Sequence, residues 1–305
     1  RVRGRVEVRT GKATRCDGLK AALAWHAQGK GNAESHRLEE VTLFEGAWAA
    51  DEALSYPFAF EVPDTPVPYA GTLFEVGFRI EADADVPWAF DPRAQRGVRV
   101  AQRTVRVAVG PIERGSTGFE RGCLGCSVLL LLAGIGLAVQ GQIGGGFLPL
   151  LCFGALGIFA SLGTVLAERK LGNVKIALVP GTAGGYRTAA STPNGMDCRV
   201  SFRAGLRNAP TVTCALTVRE RARKGSGSNT RTMYEELFAR SITLEREAPG
   251  RYRGFLELPH PTAVPPALKG TSNGIDWEVK VDIDVPDWPD WSQTFPLPAE
   301  AEKTR

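Results

Sequence analysis

Between Gly122 and Ala167 the chain carries no charged residue, and Arg121 and Glu168 bound the run. So long a stretch cannot be left in water, and it must be covered by lipid or by protein. Two apolar blocks lie within it, CLGCSVLLLLAGIGLAV from Cys123 to Val139 and GFLPLLCFGALGIFASLGTVL from Gly146 to Leu166. The polar and glycine segment from Gln140 to Gly145 separates them and offers a reversal point. A bilayer core takes about 20 apolar residues per helix, with roughly 17 as the short limit. Soluble core helices rarely run this far without a charged face. The spacing therefore predicts a transmembrane α-helical hairpin over residues 122–167. Gly134, Gly136, Gly157 and Ser161 would let its two helices pack closely.

The ends of the run set an orientation. The turn has no Lys or Arg, whereas Arg114 and Arg121 precede the run and Arg169, Lys170 and Lys175 follow it. Positive residues stay cytoplasmic, so a two-pass protein of the bacterial inner (cytoplasmic) membrane is expected, with both flanking domains on the cytoplasmic side. The Ala-, Gly- and Arg-rich composition suits a bacterial source. Neither block holds Asp, Glu, Lys, Arg or His, which argues against an ion path and for an anchor. A mid-chain run is no signal peptide, although a removed leader ahead of Arg1 stays open.

The flanks read as β-structure. Phe74, Val76, Phe78 and Ile80 alternate with Glu75, Gly77, Arg79 and Glu81, and Trp277, Val279, Val281 and Ile283 alternate with Glu278, Lys280, Asp282 and Asp284. Period two marks a half-buried strand. Further strands are expected at Val2–Arg9, Leu19–Ala27, Arg37–Phe44 and Pro57–Val62, and after the run at Asn173–Val179, Cys198–Ala204, Thr211–Glu220, Phe238–Glu245 and Tyr252–Leu258. The abundant Gly (35) and Pro (20) fit a chain of many turns.

The two flanks also repeat each other. FRIEADADVPWAFD, from Phe78 to Asp91, aligns without gaps with WEVKVDIDVPDWPD, from Trp277 to Asp290. Upstream, Phe60-Glu61-Val62-Pro63 mirrors Leu256-Glu257-Leu258-Pro259, each followed by a proline-rich loop and a glycine before the long strand. A repeat this long is a duplicated domain. These phrases resemble the arrestin-like family, in which each of two β-sandwiches has a Phe-x-Phe-x-[Val/Leu]-Pro phrase, a proline loop, a Gly and a long strand. The resemblance covers residues 1–115 and 170–299. It implies a mainly β fold of two tandem arrestin-like β-sandwich domains, 1–115 and 170–299, with the hairpin inserted between them and a tail at 300–305. It also implies an adaptor role on membrane proteins, without catalysis.

Candidate chemistry is sparse. Three His leave little for a metal site or a triad, and a net charge of +4 is too weak for nucleic acid without a concentrated patch. Asp282, Asp284, Asp287 and Asp290 suit a Ca²⁺ site or an acid/base pair, but three of the four recur in the other half, which favours a structural role. Cys123-x-x-Cys126 lacks a second pair. No Gly-x-Ser-x-Gly elbow and no phosphate loop occurs. The run Arg219-Glu220-Arg221-Ala222-Arg223-Lys224 reads as a basic, solvated hairpin tip, with Arg221, Arg223 and Lys224 as candidate contacts. Trp88, Trp288 and Trp291 follow the long strands of both halves and are either candidate partner or interfacial contacts or an apolar plug at the base of each sandwich.

The expected function is a non-enzymatic, membrane-anchored scaffold or adaptor. In its sharper form it is a structural accessory subunit of a bacterial respiratory, photosynthetic or transport complex. Its expected partners are an integral membrane protein complex and the lipid bilayer, with no nucleic acid and no cofactor. The alternatives are a sensor or signalling adaptor that binds soluble partners reversibly, and an enzyme using carboxylates such as Asp284 and Asp290.

Overall fold

The computed structural model describes residues 1–88, 90–100, 107–109, 111–115, 167, 170–182, 194–203, 208–260 and 263–301. The first half contains β1 (Val2–Arg9), β2 (Thr14–Gly29), β3 (Glu34–Trp48), β4 (Ala53–Phe60), β5 (Tyr69–Ala70), β6 (Phe74–Asp85) and β7 (Arg93–Val98). Two short connecting strands follow, β8 (Val107–Val109) and β9 (Ile112–Gly115). The second half contains β10 (Lys175–Thr182), β11 (Asn194–Ser201), β12 (Thr211–Lys224), β13 (Arg231–Thr243), β14 (Glu245–Ala248), β15 (Arg251–Glu257), β16 (Leu268–Lys269), β17 (Asn273–Asp284), β18 (Trp291–Pro296) and β19 (Ala299–Ala301).

One sheet is built twice. In the first half the strand order is β3-β2-β6-β5, with β7 also on β6; in the second it is β13-β12-β17-β16, with β18 also on β17. All of these pairings are antiparallel. The duplication extends to backbone detail. Trp88 and Asp287 occupy the same place after β6 and β17, and both hold positive φ, 63° and 64°.

Alternation decides which faces are buried. On β6, Phe74, Val76, Phe78 and Ile80 are buried, and on β17 Ile275, Trp277, Val279, Val281 and Ile283 are. Each fully buried side chain of this kind contributes about 1.5 to 3 kcal/mol. In the first half β1 and β4 pair with each other and turn Val2, Val6, Phe58 and Phe60 onto the same core. In the second half the order β14-β15-β11-β10-β9 makes the second layer. The buried apolar residues of both halves form one connected cluster, from Ala21 and Leu23 to Val281 and Ile283. A smaller cluster of Cys16, Leu19, Trp48 and Ala84 closes the far end of the first half.

The connections cross between halves. β9 joins the second half's sheet by pairing with β10, and β19 pairs with β8. Both long outer strands are bulged. Leu38 is skipped where β3 passes β2, and Leu237 is skipped where β13 passes β12. Such bulges twist an edge away from indiscriminate pairing.

The mainly β part of the expected fold class stands, and the membrane part is corrected. Among the described residues no helix is long and apolar enough to cross a membrane. The transmembrane hairpin and the two-pass inner-membrane location are therefore withdrawn. Apart from Ala167, residues 122–167 lie outside the described residues, and with them Gly134, Gly136, Gly157 and Ser161. Ala167 is helical and fully buried, and with Leu171 it packs into the sandwich core. The physical reason lies in the signal itself. Apolar length shows that a segment must be covered, and it does not distinguish a bilayer from a protein interior.

Candidate functional site, a carboxylate seam between the halves

The duplicated sheets meet at the ends where β5 turns into β6 and β16 into β17. In each half the turn is Gly-Thr: Gly71-Thr72 in the first and Gly270-Thr271 in the second. The backbone N–H groups after each glycine are bound by a carboxylate of the other half. Thr72 N donates to Glu220 Oε1 at 3.1 Å and Leu73 N to Glu220 Oε2 at 2.6 Å. The Tyr69 hydroxyl donates to the same Oε1. In the reverse direction Glu34 Oε2 accepts from Thr271 N at 2.8 Å and Ser272 N at 3.2 Å, and Glu34 Oε1 accepts from Asn273 N at 2.9 Å.

The reciprocity is approximate. Glu220 projects from β12, whereas Glu34 opens β3, opposite Ala27 of β2. Asn32 adds a further tie from the turn before β3. Its backbone N donates to Arg223 O at 2.8 Å, its Nδ2 donates to Gly225 O at 2.9 Å, and its Oδ1 accepts from Gly225 N at 3.1 Å. Asn273 Nδ2 donates back to Asn32 O at 2.8 Å.

Glu220 and Asn273 are fully buried. A buried carboxylate is costly unless its oxygens are satisfied, and charge-assisted bonds to backbone N–H groups are among the strongest that satisfy them. Burial, then the hydrogen bond to Glu220 and that group's negative charge, push the Tyr69 hydroxyl well above its ordinary value. Tyr69 is therefore a donor throughout the physiological range. Glycine is required where the carboxylates approach: a Cβ on Gly71 would collide with Glu220 Oε1, and one on Gly270 with Glu34 Oε1.

The seam leaves little room. Between the proline loops a cavity of about 20 Å³ is lined by Pro66, Tyr69, Pro265 and Leu268, among others. Such a space suits one water molecule at most.

Residues singled out from the sequence fall in several places. Arg221 pairs with Asp276 at 3.0 Å and is only 20% exposed; Arg223 contributes its backbone to the seam, and Lys224 ends β12 in the open. The run from Arg219 to Lys224 thus ends β12 at the hairpin turn into β13: Arg223 and Lys224 are exposed there, as a solvated tip requires, while Glu220 and Ala222 are buried. Glu220, inside that run, escaped notice because its neighbours are basic and its partners lie about 150 positions away. The doubled Gly-Thr after each proline loop was the available signal.

Trp291 is 2% exposed on β18 and belongs to the core, so it is no contact residue. Trp288 is 40% exposed, with Lys170 Nζ 4.6 Å above its ring. Trp88 is fully exposed. Asp282 pairs with Lys280 at 2.8 Å. Among the described residues no group of three or more His, Cys, Asp and Glu is arranged to hold a metal ion. Cys123 and Cys126 lie outside the described residues.

No protein-family model matches the chain, and no curated protein matches it. Among solved structures it is similar to Spo0M, a sporulation control protein from Bacillus subtilis. That match has 12% identity, covers 66% of this chain and 71% of that one, and has a TM-score of 0.28. The likeness concerns fold alone.

Proposed function

We propose that the chain is a non-enzymatic scaffold or adaptor of arrestin-like build, in which two sandwiches act as one rigid unit and bind partner proteins on their outer surfaces. The observation that carries this reading is the use made of the buried carboxylates. Glu34 and Glu220 accept the N–H groups of the opposite half, and this joins the halves where a catalytic carboxylate would face a cleft.

The long outer strands β3 and β13 run along the same side of each duplicated sheet. Most residues of both are exposed, including Leu38, Val41 and Tyr234. Strand edges recognise partners through main-chain hydrogen bonds, with side chains giving specificity. The bulges at Leu38 and Leu237 restrict pairing to short stretches.

Photo-crosslinkers placed at Thr42 on β3 and at Thr232 on β13, in the native cell, test the reading. A partner recovered in stoichiometric amount from either position supports it. Adducts no richer than those from a crosslinker at buried Val281 would refute it, as would turnover of a substrate by the purified chain.

A further inference from the structure

The far end of the first half, away from the seam, carries an open hollow of about 1100 Å³. Its walls are the end of β1, the turn into β2, Trp48, and the turn from β6 to β7. Two large aromatic side chains stand on its rim with no cover, Trp88 at 105% and Phe90 at 101% exposure. Isolated exposed apolar residues are ordinary, but two such rings together on one turn make a patch. Trp88 also holds φ 63°, a conformation that a bulky residue adopts only at a cost.

The duplication supplies an internal comparison. In the second half the same turn places Asp287 at φ 64°, and the aromatic beside it, Trp288, lies under the ammonium of Lys170. That ring is partly covered from within the chain, at 40% exposure. The rings of the first half have no such cover among the described residues.

Charge indicates what would cover them. Arg9, Lys12 and Arg93 line the hollow, and none has an ion-pair partner among the described residues. The fourth cation, Arg15, is held by Asp17 at 2.8 Å. Of the acids in the lining, Asp83 is held by Arg37 at 3.0 Å, which leaves Glu7. Three free cations against one free anion, around two bare rings, complement a ligand with several carboxylates and one apolar group. We propose that this end of the first half is a docking site for an acidic segment of a partner protein, whose apolar side chain seats against Trp88 and Phe90 while its carboxylates meet Arg9, Lys12 and Arg93. The hollow is concave and holds Glu7 among its cations, which suits a peptide segment better than a flat anionic bilayer. Desolvated aromatic anchors ringed by charge are the usual centres of binding energy in such contacts.

This inference rests on the scaffold reading only in taking the partner to be a protein. Its test is selection of random dodecapeptides displayed on phage against the full-length chain, after removal of clones that also bind the Trp88→Ser/Phe90→Ser variant. Both side chains are exposed, so the variant should fold, and an unchanged circular-dichroism melt would verify that. Surviving clones are expected to be rich in Asp and Glu around an aromatic or aliphatic residue. A labelled representative should lose about tenfold or more in affinity on Arg9→Ser/Arg93→Ser, and should weaken as salt rises.

No surviving clones, or survivors without acidic residues, would overturn the proposal. So would co-sedimentation of the wild type, and not of the variant, with phosphatidylglycerol vesicles, which would assign the rings to a lipid surface. So would a concentration-dependent dimer abolished by the variant. Crosslinking at Thr42 and Thr232 does not depend on this site, so failure here and failure of the scaffold reading are separable.

Discussion

Tyr69 donates its hydroxyl hydrogen to Glu220, a residue of the other half of the chain and 151 positions away. That contact, with the two backbone N–H groups on the same carboxylate, joins two copies of one sheet end to end. A duplicated domain need not form a rigid pair, since interdomain contacts inside one chain often permit relative motion. Here the contact is buried, charged and met in reverse by Glu34.

Removing Glu220 should therefore be costly. Glu220→Ala leaves the Tyr69 hydroxyl and the N–H groups of Thr72 and Leu73 without acceptors in a buried site. The expected loss is about 3 kcal/mol in urea unfolding, against about 1 kcal/mol for Tyr69→Phe, which keeps the two backbone bonds. Equal losses for the two variants would contradict the assignment.

The glycines of the seam give an independent check. Gly71→Ala and Gly270→Ala each drive a methyl group into the opposing carboxylate, and each should cost about 2 kcal/mol or more. Gly97→Ala on β7 meets nothing within 4 Å and should lie within about 0.5 kcal/mol of wild type. Chemical denaturation of the three variants measures the contrast.

Trp88 should be better for binding than for stability. Its side chain is fully exposed and its φ is 63°, so Trp88→Gly forfeits no burial and relieves a strained backbone. A gain of about 0.5 to 1 kcal/mol is expected, read as a higher melting temperature. Asp287→Gly, at φ 64° in the duplicated turn, should behave in the same way.

Asp197 is a local source of acid sensitivity in the second half. Burial pushes the Asp197 carboxyl up, but hydrogen bonds from Arg253 and Arg199 outweigh it and hold the group below the usual range. Its stabilising effect is thus complete above the unfolded-chain value of about 3.9 and is lost as pH falls through the lower folded value. Asp197→Asn should flatten the dependence of unfolding free energy on pH in that acid window and leave its slope near neutrality unchanged.

Much of the strand plan was legible in the sequence. The expected strand Val2–Arg9 coincides with β1, and the alternating runs from Phe74 to Glu81 and from Trp277 to Asp284 fall within β6 and β17. The gapless repeat around Asp-Val-Pro aligns Trp88 with Asp287, the two positions that hold positive φ. Short strands such as β5, β16 and β19 carry too few residues to show a period.

The seam was hidden for another reason. The environment of Glu220 is created by a loop from the other half, and no local pattern around it distinguishes a buried carboxylate from a solvated one. Of the two readings of Trp291, contact residue or apolar plug, its burial favours the plug, and that burial depends on β18 adding to β17. The uncharged run misled in the opposite sense. It reads as a transmembrane hairpin, which the described residues do not support, because apolar length alone does not tell a bilayer from a protein interior.

Whether the two halves are one cooperative unit held by Glu34 and Glu220 is tested most directly by hydrogen exchange along a denaturant series. Peptides from β2 and β6 report on the first half, and peptides from β12 and β17 on the second. Coincident midpoints are expected in the wild type, and in Glu34→Gln/Glu220→Gln the midpoints should separate as the halves unfold independently. Separate midpoints already in the wild type, or coincident ones in the double variant, would contradict it.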